Sequence, residues 1–108
     1  APKPPGQKPG LEPKFKPAPA ASVGPKVYYK EGVKALNEGA FNTSIEKFSK
    51  CIQADMNYSL CYRAMGITYA RMKNTPKAAR YYRLYLKVAP NAKDAAKVRE
   101  FLSKFEEE

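Results

Sequence analysis

Residues 59–92 read SLCYRAMGITYARMKNTPKAARYYRLYLKVAPNA, and two amphipathic helices are written into them. Tyr62, Met65, Gly66 and Tyr69 recur at helical spacing, which predicts a helix over 59–72 with those residues inward. Thr75-Pro76 then offers a cap followed by proline at the first helical position, where the missing N–H costs nothing. Pro90 disfavours helix at the residue before it, so the second of these helices is expected to stop near Val88.

Moving 34 residues upstream finds the same arrangement again. Tyr28 maps on Tyr62, Gly32 on Gly66, Val33 on Ile67, Ser44 on Ala78, Phe48 on Tyr82 and Ile52 on Leu86. Residue class and size repeat, and strict identity is confined to Tyr and Gly. Small residues at Gly32, Gly66, Ser44 and Ala78 let the two helices of each pair approach closely, with aromatic rings filling the space around them. The upstream pair carries Tyr28, Tyr29, Val33 and Leu36, then Ile45, Phe48, Cys51 and Ile52. Gly39 is suited to the left-handed turn that stops the first of these, and Asn42 or Thr43 is suited to start the next, with Thr43 and Glu46 spaced as a capping box. A last helix is expected after Asn91, with Ala95, Val98, Leu102 and Phe105 on one face, Phe101 beside them and charge opposite. Glu100 stands where a third copy would need glycine, so the array ends at two repeats.

Five helices joined by short loops at this period resemble the tetratricopeptide repeat (TPR). The second unit carries the likeness best, through Tyr62, Met65-Gly66, Tyr69, Ala78, Tyr82 and Pro90, and departs from it at Tyr85, where the family usually has alanine. The first unit keeps Tyr28, Gly32, Ser44 and Phe48, but has Ala35 for tyrosine, Cys51 for alanine and Met56 for proline. The resemblance implies an all-α, TPR-type α-solenoid of five antiparallel helices: repeat one over 26–58, repeat two over 59–92 and a capping helix over 93–105 within a domain of 26–108. It also implies binding of a protein or peptide along a concave face lined by the first helix of each repeat. Those positions are Lys26, Tyr29, Val33, Leu36 and Asn37, then Leu60, Arg63, Ile67, Ala70 and Arg71. The groove is apolar with a basic edge, which suits a partner with an apolar anchor and an acidic flank. Chaperone-binding members hold a terminal carboxylate with Lys and Asn, but Tyr29, Val33 and Ala64 stand at those places. A tail of Hsp70 or Hsp90 is therefore not the expected ligand.

Ahead of the helices, residues 1–25 hold eight of the ten prolines and scarcely any large apolar side chain. Such a segment cannot bury enough surface to offset its ordering entropy, so a disordered, Pro-rich linker is expected. Pro2 and Pro5 have PxxP spacing, which Pro-rich linkers show by chance. The chain starts at Ala1 inside this segment and reads as a piece of a longer protein. The net charge of +10 favours acidic partners. The row Lys77, Arg80, Arg83 and Lys87 shares one helix face, as phosphate binding would need, with Tyr81 able to stack, yet solvating cations are the plainer reading and nucleic acid is not the expected partner. No run approaches the roughly 18 apolar residues of a membrane span, so no membrane insertion is expected.

The chain has no histidine, no glycine-rich phosphate loop and only two cysteines, so neither an enzyme, a cofactor site nor a zinc site is expected. Cys51 and Cys61 are expected as buried free thiols, which favours the cytoplasm over a periplasmic or membrane-tethered location. The functional expectation is a protein–protein interaction adaptor, of the kind used in signalling. Two alternatives stand beside it: a structural spacer or oligomerisation segment with weak self-association, in which the same apolar strip is internal packing, and an accessory binder of nucleic acid or acidic surfaces.

Overall fold

A computed structural model of the chain describes residues 24–107, with side chains to residue 105. The linker reading over residues 1–23 and its PxxP pair lie outside the described residues. Five helices follow in order: α1 (Pro25–Asn37), α2 (Phe41–Ala54), α3 (Ser59–Arg71), α4 (Thr75–Val88) and α5 (Ala95–Glu107). Among the described residues there is no strand, and the fold is all-α as the periodicity predicts. Pro25, counted at sequence level with the linker, is the first residue of α1. Helix α1 packs along α2 and α3 along α4, α2 meets α3, α4 meets α5, and α1 also touches α3.

The 34-residue repeat is visible in the packing. A Cβ on Gly32 would run into the ring of Phe48, and one on Gly66 would come within 2.8 Å of the ring of Tyr82. Each glycine is thus the place where an aromatic ring from the next helix lies flush against backbone, and Ser44 and Ala78 beside them are fully buried. Close approach at these points explains why two residue sizes, smallest and largest, alternate across each pair.

The turns repeat as well. After α1, Gly39 adopts φ 78°, its N–H donates to Leu36 O, and Ala40 N–H donates to Ala35 O. After α3, Lys73 adopts φ 64°, its N–H donates to Ala70 O, and Asn74 N–H donates to Tyr69 O. Both are Schellman closures that satisfy the last carbonyls of the helix. The connection between pairs is also copied: Tyr58 N–H bonds Asp55 O and Cys61 N–H bonds Tyr58 O, as Ala92 N–H bonds Ala89 O and Ala95 N–H bonds Ala92 O. Helix α5 therefore leaves α4 by the same backbone path that α3 leaves α2.

Besides α1, three helix starts differ from expectation. Helix α2 begins at Phe41 after Ala40, with no side-chain cap, because the closure at Gly39 feeds the chain directly into the next turn; Asn42 and Thr43 fall inside the helix and form no capping box. Helix α4 is capped by Asn74, whose Oδ1 accepts from Lys77 N–H at 3.3 Å, and Thr75 is already helical. Helix α5 starts at Ala95, four residues past Asn91, since the copied turn occupies the interval.

The cysteines correct a further expectation. Cys51 and Cys61 are disulfide-bonded, with Cα atoms 6.4 Å apart and no exposed surface on either. The physical reason lies in the turn between them. Cys51 sits one turn before the end of α2 and Cys61 at the start of α3, both inward, so the reversal at Asp55–Tyr58 sets them face to face. They join a core of Phe48, Ala64 and Met65, with Tyr28, Tyr29, Val33 and Ile45 packed around it. A second core of Ala79, Tyr85, Val98 and Leu102, flanked by Tyr82, Leu86, Phe101 and Phe105, closes the array.

Candidate functional site

Polar chemistry concentrates where α3, α4 and α5 meet. Tyr85 is a core residue, 3% exposed, and its hydroxyl donates to Asp94 Oδ1 at 2.6 Å. From α3, Arg63 Nε donates to the other oxygen of the same carboxylate, Oδ2, at 2.5 Å. Asp94 precedes α5, and its backbone oxygen accepts from Val98 N–H in the first turn. One carboxylate thus ties three helices together.

The protonation states follow from this geometry. The hydroxyl of Tyr85 and the guanidinium of Arg63 hold Asp94 below its ordinary carboxylate range. Its bond to Asp94 raises the pKa of Arg63 in return. Burial, with the bond to Asp94 second, pushes the Tyr85 phenol up to about 12. Burial also raises Tyr82.

Beside this clasp opens a pocket of about 270 Å³ lined by Arg63, Ile67, Tyr82, Asp94, Lys97 and Val98. Its apolar wall is Ile67, Val98 and the ring of Tyr82. Its rim carries two cations and one carboxylate whose two oxygens are already engaged. Among the described residues no ion pair involves Lys97, which stands exposed on α5.

The expected groove residues fall in four different surroundings. Arg63 and Ile67 are brought together at this pocket. Tyr29 and Val33 pack on the first core instead, and the ring of Tyr29 lies 6.2 Å from Phe48 and 6.1 Å from Tyr58. Leu36 is 7% exposed and contributes to the interior rather than to a binding surface. Lys26, Asn37, Ala70 and Arg71 are exposed on their helices. Leu60, 42% exposed, lines a separate shallow pocket of about 290 Å³ with Asp55, Asn57, Tyr58 and Ser59.

Asp94, Lys97 and Val98 were not among the expected site residues. The signal existed in the repeat itself. Counting 34 residues on from Arg63 gives Lys97, so α5 carries the same register as α1 and α3 even though its glycine is missing.

On α4, Lys77 lies over the ring of Tyr69 at 5.4 Å and Arg83 over Phe105 at 5.9 Å. The Tyr81 ring is stacked on Tyr69, centroids 5.6 Å apart and planes at 11°, so one of its faces is already covered. Among the described residues no group of three His, Cys, Asp or Glu is placed to hold a metal ion. No described helix is long and apolar enough to cross a membrane.

Neither a scan of protein-family models nor a search of curated proteins found a match. The described residues form a five-helix, all-α array compatible with a helical repeat.

Proposed function

We propose that the chain is a non-catalytic protein-interaction module of TPR type, taking a partner peptide or helix along the strip from α3 to α5. The observation that carries this reading is the pocket between Arg63, Ile67, Lys97 and Val98, which joins an apolar wall to a rim of net positive charge. An apolar anchor buried there contributes roughly 1.5 to 3 kcal/mol, and a neighbouring carboxylate can bond Lys97 and the remaining N–H groups of Arg63. The proposed strip begins at α3 rather than α1, because Leu36 is buried and Tyr29 and Val33 pack part of their surface against the first core.

The nucleic-acid reading has less support. Its row on α4 is partly occupied by contacts with the protein's own rings, and Tyr81 offers at most one free face. The test is selection of binders from a random peptide library displayed against the full chain. Peptides pairing a large apolar residue with Asp or Glu are expected, with Ile67→Glu and Lys97→Glu each weakening them by tenfold or more while helicity stays unchanged. Enriched peptides indifferent to both substitutions, or no enrichment at all, would remove the site from consideration.

A further inference from the structure

Cys51 and Tyr85 are 34 residues apart, and so are Cys61 and Ala95. The disulfide between α2 and α3 therefore occupies the same place in its repeat as the Tyr85 junction between α4 and α5. Both Cys51 and Tyr85 replace the alanine expected there, and each fastens its helix to the start of the next. The polar clasp is not available at the first junction, because Leu60 stands at the repeat position of Asp94 and Tyr29 at that of Arg63. Apart from the bond, the cysteines' surroundings are apolar: Phe48, Ala64 and Met65.

We infer that the Cys51–Cys61 bond is a permanent fastener made in an oxidising compartment, and that the folded chain works outside a thiol-reducing cytosol. Both sulfurs lie in side chains with no exposed surface, so an attacking thiolate has no path to them while α2 and α3 stay closed. The same closure applies to formation. Two thiols must surrender two electrons and two protons to a disulfide-bearing oxidant, which leaves as its dithiol. The mixed disulfide on that route needs one sulfur exposed, so the oxidant must meet the chain before the helices close. A cytosolic chain is held reduced through that interval and then buries its thiols. With only two cysteines in the sequence, no wrong pairing within the chain competes. The cytoplasmic expectation rested on free thiols, and among the described residues there are none. This inference does not depend on the proposed peptide site.

Three readouts on the full chain test it. Alkylation of native cells before lysis should leave both cysteines unlabelled until a reductant is added to the denatured protein. Dithiothreitol should open the bond at least roughly tenfold more slowly in the native than in the urea-unfolded chain. Refolding the dithiothreitol-reduced chain should give a Tm lower than that of the oxidised chain by on the order of 10 °C, and a reduced chain that fails to fold supports the fastener equally. Thiols that label on denaturation without any reductant, equal rates of reduction, or an unchanged Tm would each overturn the inference; equal rates would point instead to a reachable redox switch.

Discussion

The hydroxyl of Tyr85 has a measurable energetic signature. Its pKa of about 12 lies above that of an ordinary tyrosine, so in strong alkali the native state keeps a proton that the unfolded state loses. Stability is then fully present below about pH 10 and falls between about pH 10 and 12, by up to about 3 kcal/mol. Asp94 acts with the opposite sign: its depressed carboxylate stabilises the fold above about pH 4, and that contribution disappears as pH falls through the folded value. Tyr85→Phe should cost about 1–2 kcal/mol at neutral pH by stranding part of the Asp94 carboxylate. It should also leave only the weaker alkaline slope contributed by Tyr82, which burial raises as well. Urea unfolding of both proteins from neutral pH to pH 12 measures this, and identical alkaline slopes would show that the Tyr85 bond is not made in solution. A Tyr29→Ala, Arg63→Ala double variant would not report on the groove alone, because Tyr29 packs on the core and Arg63 belongs to the clasp.

Helix ends show how one element can copy another imperfectly. Gly39 and Lys73 occupy equivalent closures with positive φ, yet only the first is glycine. A left-handed lysine is strained by roughly 1 kcal/mol, so Lys73→Gly should stabilise the protein by about 0.5–1 kcal/mol, whereas Gly39→Ala should destabilise it by a similar amount. Denaturant midpoints decide the matter, and a Lys73→Gly protein weaker than wild type would mean that the closure after α3 differs from the one after α1. These closures also mark the limit of what the sequence discloses. Tyr62, Met65, Ala78, Val98 and Leu102 are legible as inward residues because a single 3.6-residue period places them. Lys73 is not, since nothing in its chemistry announces positive φ. Caps at Asn74 and Ala40 were misplaced by one residue or more because several polar residues in a row can each cap, and only the turn geometry chooses.

At the scale of the molecule, the missed features are all contacts between elements. The bond of Cys51 to Cys61 spans ten residues and the pairing of Arg63 with Asp94 spans 31. Each depends on how one helix is rotated against another, which periodicity within a helix does not specify. The repeat could have supplied it. Carrying the period of 34 through α5 places Lys97 in line with Arg63 and makes the capping helix one wall of the pocket. On this account α5 both seals the second core through Val98 and Leu102 and completes the pocket through Lys97. The most direct measurement is an amide chemical-shift map of the isotopically labelled full chain, titrated with a peptide that carries one large apolar residue beside an aspartate. The account predicts shifts concentrated at Arg63, Ile67, Lys97 and Val98, with Arg80 and Lys87 unmoved. Shifts centred on the α4 row, or none up to millimolar peptide, would contradict it.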